Sequence, residues 1–252
     1  MMIFGYIAII AVGIVLGSMG AGGSMLAIPV LVYVFTIDIE TATAYSLFLV
    51  GTTSLTGAAL KGRDQLVSIR AAFLFGVPSM VGAFICRKWV IVFIPNDIKE
   101  HVLLAVFSVL MLASAVRMLL KKKNDTTTMG TPDPLRLSML GFIIGLVTSL
   151  VGAGGGFLII PALTIFAGLS FATAAGTSLL IIACNCLFAF SGDVLNRPID
   201  WVFLIPLTVL AVAGLLGGYW YHRKTQLKVA WHHVFAWFMM LVGVTILVKE
   251  VF

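Results

Sequence analysis

The chain has 252 residues, of which 61% are hydrophobic and 10% charged, with a formal net charge of +6. Its mean hydropathy is +1.13. A soluble domain is about 45–50% apolar and about 25% charged, so a soluble enzyme and an isolated binding module are both excluded. What remains is an all-α polytopic membrane protein embedded in a lipid bilayer. A β-barrel would alternate apolar and polar residues over ~10-residue segments, whereas the apolar runs here are continuous. The 16 Lys and Arg residues are scattered between those runs, as in the loops of membrane proteins. They form no basic face over a soluble fold, so nucleic acid is not an expected partner.

In chain order, the first half has apolar runs at 3–19, 24–37, 41–60, 69–94 and 101–120. The opening Met1-Met2-Ile3-Phe4 lacks the basic region of a cleavable signal peptide, so the first run reads as a segment that stays. The second half has runs at 137–151, 156–169, 171–191, 199–221 and 230–252. The last three of each half are long enough to cross ~30 Å of hydrocarbon. The first two reach only about 25 and 21 Å at 1.5 Å per residue. Their Gly-rich junction therefore belongs inside the membrane, where non-helical backbone survives only against protein or a polar cavity.

The two halves are copies of one unit. Gly20-Ala21-Gly22-Gly23 recurs 132 positions later as Gly152-Ala153-Gly154-Gly155. The same offset aligns Gly13 with Gly145, Pro29 with Pro161, Thr41-Ala42 with Thr173-Ala174, Ser46 with Ser178, Gly82 with Gly214 and His101 with His233. No gap is needed from Gly13 to His101. The expected organisation is a first transmembrane repeat at 1–120, a cytoplasmic linker at 121–134 and a second repeat at 135–252. The linker is basic and then rich in Thr and Pro, as a solvated loop is.

Charge bears on topology. If all five runs of each half cross, the inside loops hold 11 of the 16 basic residues and the other side 5. If runs one and two make a single crossing, the split is 10 to 6. The positive-inside rule favours the first count. Five segments per half is odd, so the repeats would be inverted, as in secondary transporters. Both termini would then lie outside. Gly-rich broken helices or re-entrant hairpins would open each half.

Glycine reaches unusual backbone angles and lets a ligand approach the main chain. The segment after each cluster reads as a helix, whose first turn has unpaired N–H groups and a partial positive charge. A Gly-rich loop before a helix N-terminus binds anions without a formal cation. Gly20, Ala21, Gly22, Gly23 and Ser24 are thus one half of a candidate anion site. Gly152, Ala153, Gly154, Gly155 and Gly156 are the other half. The spaced pairs Gly13/Gly17 and Gly141/Gly145 read instead as helix-packing positions.

Runs three and eight add hydroxyls and amides. Ser46 and Ser178 occupy matching positions, as do Thr53 and Asn185. Ser46, Ser178 and Asn185 could donate to a bound anion, or bond their own and neighbouring helices instead. Asp38, Glu40 and Asp193 read as solvated or interfacial, and His101 and His233 as interfacial anchors. Cys86, Cys184 and Cys186 read as small buried hydrophobes, with no zinc or disulfide framework. Cys184 and Cys186 lie two apart on a helix, about 200° around, which disfavours a thiol relay.

No intramembrane carboxylate or histidine stands out as a proton relay, which leaves coupling to a proton or another ion open. There is no metalloprotease, nucleophile-elbow or P-loop motif. No catalysis, cofactor or metal is expected.

The duplicated Gly-x-Gly-Gly-x(5)-Pro unit resembles the sulfite exporter TauE/SafE family of membrane permeases, also called TSUP. It stands here as Gly20 to Pro29 and Gly152 to Pro161. Thr41-Ala42 with Ser46, Thr173-Ala174 with Ser178, and Lys61-Gly62-Arg63 before run four match as well. The resemblance covers nearly the whole chain. It implies an inner-membrane transporter of sulfur-containing anions such as sulfite, thiosulfate, sulfoacetate or other organosulfonates, in either direction. Family members are usually described with about eight spans; the run lengths here suggest ten segments. The expectation is a permease working by alternating access around the glycine clusters. The alternatives are an anion channel and a non-transporting assembly or sensory partner. Oligomeric state is not legible.

Overall fold

The computed structural model describes residues 2–19, 27–28, 30–85, 112, 116, 133–151, 156–196, 198–225, 237, 240–241 and 244. Among them every regular element is helical. The first half contains α1 (Met2–Met19), helical residues at 27–28, a π-helical turn (Val30–Val34), α2 (Ile39–Arg63) and α3 (Ile69–Ile85). The second contains α4 (Pro134–Val151), α5 (Gly156–Phe166), α6 (Phe171–Asn196) and α7 (Trp201–Thr225). The starts of α1 and α4, α2 and α6, and α3 and α7 each lie 132 positions apart. Run four was expected to reach 94; its described helix ends at Ile85 and the rest lies outside the described residues. Of runs five and ten, only residues 112, 116, 237, 240, 241 and 244 are described, all as helix.

Helix starts carry side-chain caps at matching positions. The Asp38 carboxylate accepts from Thr41 N–H at 2.9 Å before α2, and the Ser170 hydroxyl accepts from Thr173 N–H at 3.2 Å before α6. Ser68 before α3 and Asp200 before α7 do the same for Ala71 N–H and Phe203 N–H, at 3.4 and 3.2 Å. Such caps satisfy donors that the helix itself cannot.

Three helix pairs make the bundle, and each joins the two halves: α1 with α7, α4 with α3, and α2 with α6. Glycine decides how closely the first two pairs approach. A side chain at Gly13 or Gly17 would run into the α7 backbone at Ala211 or Leu215, and one at Gly214 or Gly218 into Ile10 or Ile14 of α1. In the other pair, Gly141 and Gly145 lie against Phe75 and Ser79 of α3, and Gly82 lies against Phe142 of α4. The packing expected for the spaced glycines is therefore what they do, and it is the small-residue seam of membrane helices. Contacts climb together along both pairs, so α1 runs parallel to α7, and α3 to α4. The central pair is antiparallel: Gly51 sits beside Cys186 and Leu187, and Gly57 beside Leu179.

The interior is apolar, with Ile9, Leu16, Leu49, Phe75, Ile182 and Leu207 among its fully buried residues. The outside is apolar too. On α7, Val202 (86% exposed), Ile205, Val209, Leu216 and Trp220 form an outward stripe, and Phe73, Val77, Val81 and Phe84 form one on α3. A water-soluble surface does not carry patches of that extent, but lipid covers them at no cost. Among the described residues, Phe171–Val194 and Trp201–Tyr221 are each long and apolar enough to cross a membrane. The helix α2 has the length, about 37 Å for its 25 residues, but its hydroxyls dilute its apolar character.

Candidate functional site

The two glycine clusters follow the described ends of two helices. The described part of α1 ends at Met19 and that of α4 at Val151, and α5 is described from Gly156. Gly20, Ala21, Gly22, Gly23 and Ser24, and Gly152, Ala153, Gly154 and Gly155, lie outside the described residues. Gly156 is the first described residue of α5.

The remaining candidates are described. Ser46 on α2 and Ser178 on α6 are both buried. Each hydroxyl donates to a carbonyl of its own helix three residues back, Ser46 to Thr43 at 2.8 Å and Ser178 to Ala175 at 2.9 Å. The two serines thus play the same part in each half, but their protons are engaged with backbone. To hold an anion, either hydroxyl would have to rotate away from that carbonyl.

Asn185 behaves differently. Its Nδ2 donates to Ser79 Oγ on α3 at 2.9 Å, which ties α6 to α3. Its Oδ1 is buried and has no partner among the described residues. The matching residue, Thr53, bonds Leu49 and Val50 carbonyls of its own helix at 2.7 and 3.1 Å. A buried acceptor left open costs about 1–3 kcal/mol, so Asn185 is a place where a donor group could be received. Ser54 Oγ, also buried, is likewise unpartnered.

Polar residues beyond the candidate set also tie helices together; of these, Tyr45 and Thr177 were visible in the hydroxyl-rich runs, while Ser79, Ser138 and Tyr219 were not singled out. Ser79 follows Pro78 inside α3. Proline cannot bond the carbonyl four residues back, and the hydroxyl of Ser138 on α4 donates to that Leu74 carbonyl at 3.1 Å. Thr177 Oγ1 accepts from Ser68 N–H at 2.9 Å, and Tyr45 Oη accepts from Asp200 N–H at 3.0 Å. These two bonds sit at matching positions of the repeat, each pinning the start of a helix to the central α2–α6 pair. Tyr219 of α7 bonds the Asp64 carboxylate at the turn after α2.

One expectation about cysteine is corrected. Cys186 is buried, but Cys184 is exposed. The helix turns about 200° between them, so one thiol faces the core and the other faces outward. Cys86 lies outside the described residues.

Comparison with known proteins places these features in a family. The model of the sulfite exporter TauE/SafE family matches residues 6–246. A "Probable membrane transporter protein YdhB" of Bacillus subtilis (strain 168) is 28% identical over 207 residues, covering 82% of this chain and 84% of the relative. A "Probable membrane transporter protein" of Xylella fastidiosa (strain Temecula1 / ATCC 700964) is 28% identical over 230 residues, covering 88% and 84%. A "Probable membrane transporter protein MJ0441" of Methanocaldococcus jannaschii is 27% identical over 165 residues, covering 62% and 60%. No solved structure matches. With apolar helices inside and out and a family match spanning nearly its full length, the chain belongs to the sulfite exporter TauE/SafE family of membrane transporters.

Proposed function

We propose that this protein is a secondary transporter that carries a sulfur-containing anion, such as sulfite, thiosulfate, sulfoacetate or another organosulfonate, across the cytoplasmic membrane. The carrying observation is the exchange of helices between halves. The first helix of each half packs against a late helix of the other, and the equivalent helices α2 and α6 run antiparallel. That arrangement supports two repeats of inverted topology, the architecture of carriers that alternate access around a central site.

Charge supports the orientation. Lys61, Arg63, Arg70 and Arg136 gather at the end where α2 meets α3 and α4 begins. Asp38, Asp193 and Asp200 lie toward the opposite end. By the positive-inside rule the first end, with the linker, is cytoplasmic.

In this reading the glycine clusters carry the anion on backbone N–H groups at the starts of the short helices. Ser24, Ser46, Ser178 and Asn185 contribute hydroxyl and amide donors. No formal cation is needed, so a bound anion can leave on either side. Rocking of one bundle against the other exposes the site alternately.

Purified protein should show a saturable rise in unfolding temperature with one sulfur oxyanion or organosulfonate, and none with chloride, phosphate or a carboxylate. Gly22→Val and Gly154→Val should insert normally yet lose both the shift and transport. Full transport in both variants would dismiss the site. In proteoliposomes, flux that neither saturates nor supports counterflow would identify a channel instead.

A further inference from the structure

The helices sort into two sets by what they touch. The first set is α1, the Val30–Val34 turn, α2 and α7; the second is α4, α5, α6 and α3. Each set holds the opening elements of one half together with α7 or α3 from the other. Among the described residues, every pair of elements in extensive contact lies within a set, with one exception, α2 against α6. These two begin 132 positions apart, so they are matching helices of the two halves.

The contacts within a set differ in kind from those between sets. Gly13, Gly17, Gly214 and Gly218 put backbone against backbone in the first set, and Gly82, Gly141 and Gly145 do so in the second. The hydrogen bonds between helices described above are internal as well. Asp200 donates to Tyr45 and Tyr219 to Asp64 in the first set; Ser68 donates to Thr177, Asn185 to Ser79 and Ser138 to Leu74 in the second. The first set is also locked by the Phe35 ring, edge-on to Tyr6 and Phe203 with centroids 5.7 and 5.3 Å apart. At the matching positions stand Ser138, Ala167 and Ala71, without a ring.

Between the sets, side chains meet. Gly51 faces Leu187 and Cys186, and Gly57 faces Leu179. At the end away from the linker the Phe190 ring meets Phe48 and Trp201 at 4.9 and 6.1 Å. Buried hydroxyls on this seam do not tie the sets together. Ser46, Thr53 and Ser178 bond carbonyls of their own helices, and Ser54 has no partner among the described residues. Backbones in close contact hold their register, whereas side chains can change rotamer and let packed helices slide.

Taking the transporter reading as given, we propose that the protein moves as these two bodies and that the α2–α6 seam is the surface on which they shift. Neither half of the sequence moves as a unit, because α3 and α7 each travel with the other half.

The test fixes the seam and, separately, one set. A Cβ at Gly51 would stand 3.3 Å from that of Cys186, near the about 3.5–4.5 Å of a disulfide. Gly51→Cys, with Cys86 and Cys184 replaced by alanine, therefore links the bodies when oxidised. In proteoliposomes, oxidation should abolish sulfite counterflow and reduction should restore it. In a chain without native cysteines, Asp64→Cys with Tyr219→Cys is bridged by a short bismethanethiosulfonate. That bridge should leave the flux of the unbridged variant unchanged, because both positions belong to the first body. Full flux across the oxidised seam, or loss of flux on bridging the first set, would overturn the two bodies.

Spin labels give a readout that needs no transport, at positions exposed on outward faces. Ile7→Cys with Val209→Cys lies within the first set, and Val77→Cys with Val209→Cys spans the two. The first pair should keep one narrow distance distribution with and without sulfite, and the second should split or shift. Two narrow, unchanging distributions would overturn the bodies. A split second pair in a chain that carries no sulfite would keep the bodies and overturn the sulfite reading alone.

Discussion

The short helices that follow the two glycine clusters end alike and are built unlike. In each, the N–H two residues past the turn reaches back six positions, Ile37 to Leu31 at 3.2 Å and Leu169 to Leu163 at 3.3 Å. That bond is one residue wider than the Schellman bond, which reaches back five, and in both halves it follows a residue of positive φ. The second half supplies Gly168 and a regular α-helix, Gly156–Phe166. The first half supplies Thr36 and a π-helical turn. The two segments thus share the closure, while the first has Thr36 where the second has the glycine that suits it. The copy with the strain is also the copy with the aromatic ring. The geometry of a repeat and the energy stored in it can diverge.

The largest test of that comparison concerns what both halves still share. Gly13→Val and Gly145→Val each push a side chain into the backbone of a facing helix. Each should cost at least about 3 kcal/mol, the upper part of the overpacking range, seen as a strong fall in unfolding temperature. Gly192→Ala, with open space around it, should stay within about 0.5 kcal/mol. A large difference between the two valine variants would break the equivalence of the halves.

The matched inter-helix bonds come next. Thr177→Val and Tyr45→Phe each remove the acceptor for a helix-start N–H. Each should cost about 1–2 kcal/mol, by equal amounts if the ends are equivalent in energy. Urea or thermal unfolding of the two single variants measures this directly.

Thr36→Gly should then stabilise the protein by about 1 kcal/mol, because glycine adopts the left-handed region without the clash a side chain suffers there. Gly168→Thr should lose a similar amount.

The smallest effect is expected at the amide. Asn185→Thr installs the residue that the first half has at the matching position, Thr53. It removes an unpartnered Oδ1 but also the bond to Ser79, so stability should move by only about 0.5 kcal/mol, near the mean measured for inter-helix bonds in membranes. A fall in anion affinity with unchanged stability would place Asn185 at the substrate.

Much of the fold was legible before any coordinates. The run expected from residue 3 begins at Met2, the run from 171 begins at Phe171, and the run from 156 begins at Gly156. Apolar length decides such boundaries because a backbone in lipid must bond to itself. The spaced glycines were readable as seams for the same kind of reason. The site was less legible. Asn185 stood out as costly, but its partner Ser79 lies 106 positions away, and an apolar context hides a lone serine. Ser46 and Ser178 were visible as a matched pair, yet which way their hydroxyls turn depends on the local helix. The exposure of Cys184 depended on which face of α6 meets its neighbours.

By itself, then, the sequence determined the all-helical membrane class and the family, because burial in lipid and a local motif act on the chain residue by residue. Only the tertiary structure decided which helix meets which. The exchange of α1 and α4 between halves, the antiparallel α2–α6 centre and the aromatic closure of one end all depend on contacts between residues far apart in the chain. A local pattern sets no such contact. They follow from which glycine seam fits which backbone, and from which ring finds a partner's edge.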